Sequence, residues 1–422
     1  MSVDEREPDN VAQAQGDLLP LENPQRPTVR RKRRANLGAG TTEALAHPNE
    51  FDQSSITAEE KMVEALCNRL RVVRTSGKVP LFVLGAGISA DRVPLLKDIA
   101  DWFLTVEGMP ETERPGDSRL NDRLMSFLKG LSVGDASRAD VAELFSTLQW
   151  TSNCKYSKLW RRFSKAFLMG PQPKEHIPSL KIGSDKKEFI GLLKAKSTNA
   201  HRSLAEMLCT QEAHLFSLNF DGLTVKALID KCDKGIALHT RQQVRAYFSA
   251  TEGDFVPSVI KVRGDVFYAT CAEPACPASN EEHPLDRLSD HKELMCPACG
   301  QDTVVLQFSF PGYRVKEEVA YPILWEARRF LAQRLSAIII IGLSGRWDRY
   351  LLDFLFDLAI ERGLVVADVN PEQEEEAVID SFRQTYYPSC KLVAQPSLLE
   401  PTGPCYLRIH TDADTFFALH SK

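Results

Sequence analysis

Residues 81–90 read LFVLGAGISA, a short apolar run that ends in a glycine-rich turn. The unbroken run favours a strand that is buried on both faces. Gly85, Gly87 and Ala90 complete a G-x-G-x-x-A pattern directly after it. After a strand, such glycines let backbone N–H groups approach a diphosphate. A tight strand-to-helix turn without any ligand is the alternative, and this pattern alone does not choose between the two.

Further strand-like runs alternate with helical patterns along the rest of the chain. These runs cover residues 214–220, 259–262, 337–341 and 364–369. Because they are β-branched and nearly continuous in apolar residues, they predict a parallel sheet covered on both faces. Polar residues or glycines stand at their C-terminal ends, which is where open α/β sheets bind ligands.

Four of the ten cysteines form two closely spaced pairs: Cys271, Cys276, Cys296 and Cys299. Two such pairs, joined by a loop, are typical of tetrahedral zinc ligation by thiolates. Four cysteines leave no position open for water, so the zinc is expected to be structural. The alternative is four unligated thiols in a loop. The remaining cysteines have no comparable spacing and are expected to be packed side chains.

These patterns predict an α/β fold, in which a Rossmann-like parallel sheet domain carries an inserted small zinc-binding and helical domain. The expected limits are a Rossmann-like core over about 56–100, 195–265 and 304–422, a helical insertion over about 101–194, and a zinc module over about 266–303.

Residues 1–55 are rich in polar residues and proline, so we expect a disordered tail. The basic run Arg30–Arg34 within it is interpreted as a solvated charge run, with nuclear import or a contact with nucleic acid or a partner as alternatives. A net charge of −5 gives no global sign of nucleic-acid binding. The sequence has neither an apolar run of membrane-spanning length nor a signal-peptide pattern. We therefore expect an intracellular, cytoplasmic protein, or a nuclear one if it is eukaryotic and the basic run is an import signal.

Asn219 and Asp221 follow one of the strand-like runs, in the segment Ser217–Asp221. At a strand end, their side chains are suited to hold a ribose, an amide or a water molecule. The alternative is a pair of residues that only caps a turn.

The serial order of these motifs resembles the sirtuin superfamily. Residues 85–89 match its opening GAGIS. Residues 217–221 correspond to its T-Q-N-x-D, and residues 263–265 fall where the family has His-Gly-Ser or His-Gly-Asp. Its N-x-x-H-x-x-L, G-T-S and I-N-x-E segments are resembled by residues 199–204, 341–344 and 369–372. The resemblance spans about residues 80–420, so we expect residues 56–422 to form a sirtuin-like domain.

The resemblance implies that NAD lies between the Rossmann-like domain and the smaller zinc-bearing domain. It implies phosphate contacts at Gly85, Ala86, Gly87 and Ser89, phosphate and ribose contacts at Gly342 and Ser344, and an adenosine-ribose contact at Asn370. Asn219 and Asp221 would be the catalytic residues, because they would face the nicotinamide ribose, where the glycosidic bond breaks.

Three departures from the family pattern bear on the activity. Arg263 stands at the position of the catalytic histidine, and arginine stays protonated and is a very poor general base. Arg263 is suited instead to bind a phosphate or carboxylate, so it is counted among the cofactor-binding residues. Leu218 replaces the glutamine of the family. In residues 92–97, Leu95 and Lys97 stand where the family segment G-I-P-D-F-R has its Asp and its Arg.

The favoured interpretation is an NAD-consuming enzyme that cleaves the nicotinamide–ribose bond, of NAD glycohydrolase type. One alternative is an NAD-dependent protein deacylase, and the other is an inactive NAD or ADP-ribose sensor or scaffold. The expected partners are NAD and an acylated protein or other protein partner. Nucleic acid is expected only through the basic tail, and no membrane is expected.

Overall fold

The computed structural model of the chain describes residues 53–74, 76–110, 112, 125–126, 129, 157–171, 176–183, 185–232, 235–250, 255–271, 273, 275–277, 283–284, 296, 298–300, 304–308, 320–343, 349–371, 391–393 and 404–420. The expected tail thus lies almost entirely outside the described residues. Its expected boundary at residue 56 falls within the first described helix, which begins at Gln53.

The helices in the described part of the chain are α1 (Gln53–Arg74), α2 (Leu96–Gly108), α3 (Ser157–Met169), α4 (Asn199–Cys209), α5 (Leu223–Cys232), α6 (Arg241–Ser249), α7 (Tyr321–Arg334), α8 (Arg349–Arg362) and α9 (Ala413–His420). The strands there are β1 (Val79–Leu84), β2 (Lys181–Ile182), β3 (Lys187–Glu188), β4 (His214–Ser217), β5 (Ile236–Leu238), β6 (Ser258–Lys261), β7 (Gly264–Cys271), β8 (His283–Pro284), β9 (Val304–Phe308), β10 (Leu335–Ile341), β11 (Val365–Val369), β12 (Lys391–Val393) and β13 (Cys405–Ile409). None of these helices combines the length and the apolar character that crossing a membrane requires.

Eight strands form one sheet in the order β12-β13-β11-β10-β1-β4-β6-β5. Each neighbouring pair in this sheet is parallel. From β1 the chain passes to β4, then to the edge strand β5, and returns to β6, which lies between β4 and β5. From β10 it later passes to β11, then to the opposite edge strand β12, and returns to β13, which lies between β11 and β12. The prediction of a Rossmann-like α/β fold is therefore confirmed, and the strand order reverses between β1 and β10.

Both faces of the sheet are buried, because neighbouring residues of each strand point to opposite sides. In β1, Phe82 and Leu84 belong to one apolar core and Leu81 and Val83 to the other. Residues of α1, α4, α5 and α9 cover the first core, and residues of α6, α7 and α8 cover the second. This three-layer arrangement explains why the central strands are apolar throughout rather than alternating.

A separate antiparallel sheet has the order β8-β7-β9, and Cys271 stands at the end of β7. Its third strand, β9, corrects one expected limit. Residues 304–308 fall within the range expected for the Rossmann-like core, but β9 pairs with β7 and not with the parallel sheet. The other expected limits stay predictions, because much of residues 101–194 and 266–303 lies outside the described residues.

A disulfide joins Cys209 and Cys232, the last residues of α4 and α5, with their Cα atoms 6.5 Å apart. From their spacing, both cysteines are expected to be separate packed side chains. That interpretation is wrong for this pair, because α4 and α5 pack side by side and their final turns meet.

The turns after β1 and β10 pack backbone against backbone. A Cβ atom on Gly342 would lie 2.7 Å from the Cα of Gly87, and Gly342 also has a φ of +62°. A Cβ atom on Gly85 would lie 2.4 Å from the carbonyl oxygen of Gly342. These glycines are therefore required for the two strands to end side by side.

We predict that Gly342→Ala lowers the free energy of unfolding by about 2 kcal/mol or more, since it combines a left-handed backbone with a steric clash. Chemical denaturation of the wild type and the variant measures this difference. Gly108→Ala is the matched control, because a Cβ atom at Gly108 would meet nothing within 4 Å. Equal losses for the two variants would contradict the contact between the turns.

Candidate functional site

In the glycine-rich turn after β1, two N–H groups that were expected to approach a diphosphate form hydrogen bonds within the protein. The N–H groups of Gly85 and Gly87 donate to the carbonyl oxygens of Ile341 and Gly342, each at 2.9 Å. They are therefore already bonded to the end of β10 and do not point toward a diphosphate. The part of the turn that a ligand can reach is the exposed backbone of Ala86 and Gly87.

The segment after this turn does not lead directly into a long helix. Residues Ala86–Ser89 form a single turn of 3₁₀ helix, and α2 begins only at Leu96. The helix dipole that usually favours phosphate after a glycine-rich turn is therefore displaced from it.

The expected site residues stand in a row along the carboxyl edge of the sheet. In the strand order β11-β10-β1-β4-β6, the residues that follow these strands are Asn370, Gly342, Gly85, Asn219 and Arg263. Four steps between neighbouring strands span roughly 19 Å, which suits an elongated ligand. The row crosses the point between β1 and β10 where the strand order reverses, the usual ligand crevice of open α/β sheets. Ser344, the remaining expected contact, lies outside the described residues.

Hydrogen bonds connect Asn219 to Ser89 and His201 in the interior. The Nδ2 group of Asn219 donates to Ser89 Oγ at 3.4 Å, and Ser89 Oγ lies 3.2 Å from His201 Nε2. All three side chains are buried. Among the described residues, Asn219 Oδ1 has no hydrogen-bond donor, so this oxygen can accept a hydrogen bond from a ligand hydroxyl or a water.

The neighbours of His201 assign its tautomer. The backbone N–H of Thr198 donates to Nδ1 at 3.2 Å, so Nδ1 is the acceptor and the proton lies on Nε2. Nε2–H then donates to Ser89 Oγ, which leaves the Ser89 hydroxyl proton for another acceptor. Burial lowers the pKa of His201 below its ordinary value, although the nearby Asp221 carboxylate acts in the opposite direction. His201 is therefore neutral at pH 7.

Asp221 has one oxygen in a turn. Its Oδ1 accepts from the N–H of Leu223 at 3.1 Å, at the start of α5. The turn-capping interpretation of this residue therefore holds for Oδ1. The other oxygen, Oδ2, accepts no hydrogen bond from the residues that the structure describes, and Asp221 is only 6% exposed. One side chain can thus fix the turn and present a carboxylate oxygen at the carboxyl edge.

Two cationic residues follow one another closely at the end of β6. Arg263 is only 7% exposed, and its assignment as a cofactor-binding residue stays a prediction. Lys261, which the sequence did not point to as a site residue, donates through Nζ to the carbonyl oxygens of Asn219 and Asp221. A lysine in the otherwise uncharged segment SVIKV was the available signal. His201 was noted as part of a motif, but no role was given to it.

The four expected metal ligands come together. The Sγ atoms of Cys271, Cys276, Cys296 and Cys299 all lie within 4.8 Å of one another. Two of the distances are 3.8 Å (Cys271 to Cys299) and 3.7 Å (Cys276 to Cys296). A tetrahedral zinc with Zn–S bonds of about 2.3 Å requires sulfur–sulfur distances of about 3.8 Å, so the donor set fits zinc.

The backbone around these sulfurs has the form of a ligand-bearing turn. The N–H of Gly300 donates to Cys296 O at 2.8 Å, and Gly300 has a φ of +67°. The N–H of Glu273 donates to the Sγ of Cys271 at 3.4 Å. An N–H directed at sulfur stabilises a thiolate, which is the form that ligates metal.

Comparison with known proteins identifies no match by sequence: no protein-family model matches the chain, and no curated protein does. Among solved structures, "The Structural basis of Sirtuin Substrate Affinity" is similar at 15% identity and a TM-score of 0.37, over 81% of this chain and 92% of that one. "Sir2-p53 peptide-NAD+" is similar at 15% identity and a TM-score of 0.36, over 81% of this chain and 90% of that one. Both carry names of the family that the motif order resembles. At these TM-scores the likeness assigns neither a ligand nor an activity to the chain.

We predict that the neutral state of His201 makes stability depend on pH. In the unfolded chain His201 takes up a proton near pH 6.5, whereas in the folded chain it takes up this proton only at lower pH, because its pKa is lowered. The stabilising contribution is therefore fully present above about pH 6.5 and is lost as pH falls below it, by up to about 1.4 kcal/mol per pH unit. Denaturation of the wild type and His201→Gln between pH 7 and 5 tests this, and equal slopes would contradict it.

We predict about one zinc per chain in the purified protein, measured by elemental mass spectrometry. Cys296→Ser should lose most of this zinc and unfold at a lower temperature, because structural metal binding is coupled to folding. Cys67→Ser is the control, since Cys67 is buried in α1 and outside the cluster. Full zinc content in Cys296→Ser would refute the assignment of the ligands.

Proposed function

We propose that the chain binds NAD along the carboxyl edge of its parallel sheet and hydrolyses the nicotinamide–ribose bond. The observation that carries the proposal is the hydrogen-bonded group of Asn219, Ser89 and His201, held at a strand end beside the exposed turn at Ala86 and Gly87. The order of motifs in the sequence, which resembles that of sirtuins, is the reason for choosing NAD among elongated ligands.

The row of residues supports one direction of binding. Asn370, after β11, would hold the adenosine ribose, and the exposed turn after β1 would contact the phosphates. Asn219 and Asp221, after β4, would face the nicotinamide ribose. Arg263, after the next strand, would lie at the nicotinamide end of this row, where its guanidinium can donate hydrogen bonds to the ligand.

The proposed reaction breaks the bond between ribose C1′ and the nicotinamide nitrogen. The bonding electrons leave with neutral nicotinamide, a water oxygen bonds to C1′, and one proton is released. Positive charge develops on the ribose in the transition state, so the Asp221 carboxylate stabilises it more than the ground state. Asn219 Oδ1 orients the water or a ribose hydroxyl, and Ser89 and His201 hold the Asn219 amide in place.

Arg263 favours hydrolysis over acyl transfer. Deacylation in the resembled family requires a base that deprotonates a ribose hydroxyl, and a guanidinium does not accept that proton at neutral pH. Cleavage with water as the acceptor requires less of a base, because the leaving nicotinamide is neutral and the electrostatic contribution dominates.

We predict that the wild type releases nicotinamide and ADP-ribose from NAD without any acylated peptide. Asn219→Ala should lower kcat by about 100-fold or more, because it removes a group that acts in the transition state. Chromatography of the products measures both. Asn68→Ala, an exposed change on α1, is the control and should keep full activity.

Two outcomes would contradict the proposal. If nicotinamide release required an acylated peptide, the chain would be a deacylase. If NAD bound without release of nicotinamide under either condition, the chain would be a sensor or scaffold.

A further inference from the structure

Lys261 is the most deeply buried charged side chain near the carboxyl edge. It is the last residue of β6, in a strand whose other residues are uncharged, and it is only 1% exposed. Taking an ammonium group out of water is costly unless polar groups replace its hydration. A lysine at this position therefore requires specific partners, and their identity indicates what it does.

Lys261 donates hydrogen bonds to two backbone carbonyls of one short segment. Its Nζ donates to the carbonyl oxygen of Asn219 and, at 3.0 Å, to that of Asp221. The hydroxyl of Ser217 also donates to the Asn219 carbonyl, at 3.4 Å. The ammonium group thus bonds the main chain of the two residues whose side chains are the proposed catalytic groups.

Residues 219–221 follow β4, and other contacts hold their side chains and their neighbours in the chain. Leu218 is held to Leu84 by a backbone hydrogen bond, and Leu223 is held through the side chain of Asp221. The amide of Asn219 bonds Ser89, and the ring of Phe220 packs against Phe167. Lys261 adds hydrogen bonds from β6 to the main chain of the segment. Removing it would leave two buried carbonyls without this donor, and the segment would shift to find others.

We propose that Lys261 is a positioning residue, whose ammonium group holds residues 219–221 in the shape that presents Asn219 and Asp221 to the ligand. This inference rests on the proposed NAD hydrolysis for its effect on rate, whereas the effect on the backbone segment is independent of it. Lys261 does not touch the reacting atoms; it acts through the main chain of the residues that do.

A second effect of the charge supports this assignment. Burial is the main cause of the lowered pKa of His201, and the positive charge of Lys261 adds a smaller effect in the same direction. A neutral His201 keeps Nδ1 as an acceptor from Thr198 and Nε2–H as a donor to Ser89. The same cation thus bonds the main chain of Asn219 and, through the neutral state of His201, favours the hydrogen bonds between His201, Ser89 and the Asn219 side chain.

The test compares Lys261→Met with Lys226→Met. Methionine keeps most of the length of lysine and removes the charge. Lys226 is a matched control, because its Nζ also donates to two backbone carbonyls, those of Leu193 and Ala195, at 3.1 and 3.0 Å. Both variants lose a lysine that bonds main chain, but only Lys261 bonds the segment 219–221.

Hydrogen exchange followed by mass spectrometry reads the backbone without any reaction. We expect faster exchange in the peptide that contains residues 218–223 for Lys261→Met, and no change there for Lys226→Met. Unchanged exchange in this peptide, in a variant that folds, would overturn the proposal whether or not NAD is cleaved.

Steady-state kinetics read the consequence for the reaction. We expect Lys261→Met to lower kcat by about 100-fold with KM changed less than about threefold, since misplacement of catalytic groups by a fraction of an ångström affects the transition state most. Lys226→Met should keep kcat. A kcat for Lys261→Met equal to that of the wild type would also overturn the proposal.

Lys261→Ala covers the case in which the methionine variant does not fold. Propylammonium added to this variant should restore part of kcat by occupying the space of the side chain, and neutral propanol should not. Restoration by both compounds to the same extent would show that the space and not the charge matters, which would overturn the role of the ammonium group. If the wild type released no nicotinamide, the proposed function would fail, and the exchange data would still decide the role of Lys261.

Discussion

The close approach of two backbone turns, one after β1 and one after β10, is the contact on which the carboxyl edge of the sheet depends. Gly87 and Gly342 face each other without side chains, and the N–H groups of Gly85 and Gly87 bond the end of β10. Because the strand order reverses at this point, the two turns form the floor of the crevice in which an α/β sheet binds its ligand. A side chain at any of these glycines would separate the two central strands and alter the spacing of the whole row of polar residues.

Electrostatics at this edge follow from burial. The buried imidazole of His201 forms hydrogen bonds with Thr198 and Ser89 instead of with water, and burial favours its neutral form. Lys261 donates hydrogen bonds to backbone carbonyls, which offset the free-energy cost of burying a cation. Asn219 and Asp221 are thus held in place by Ser89, Lys261 and the N–H of Leu223. The proposed reaction would require such preorganised groups.

Much of the fold could be predicted from the sequence because its signals are local. A near-continuous apolar run such as residues 337–341 specifies a strand buried on both faces, and the spacing of the four cysteines specifies a cluster. The rest depends on contacts distant in sequence. Nothing in residues 304–308 indicates that β9 joins β7, and a glycine pattern does not tell whether its N–H groups serve a phosphate or the neighbouring strand. Likewise, Lys261 finds its two carbonyls about 40 residues earlier in the chain.

The central claim is that the row of residues from Asn370 to Arg263 is the NAD site. Its most direct test is an experimental structure of the Asn219→Ala variant with NAD, in which cleavage is slowed. We expect the nicotinamide ribose to lie beside Asp221, the diphosphate to lie over Ala86 and Gly87, and the adenosine ribose to lie beside Asn370. NAD bound on another face of the domain, or bound with its two ends reversed along the row, would contradict it.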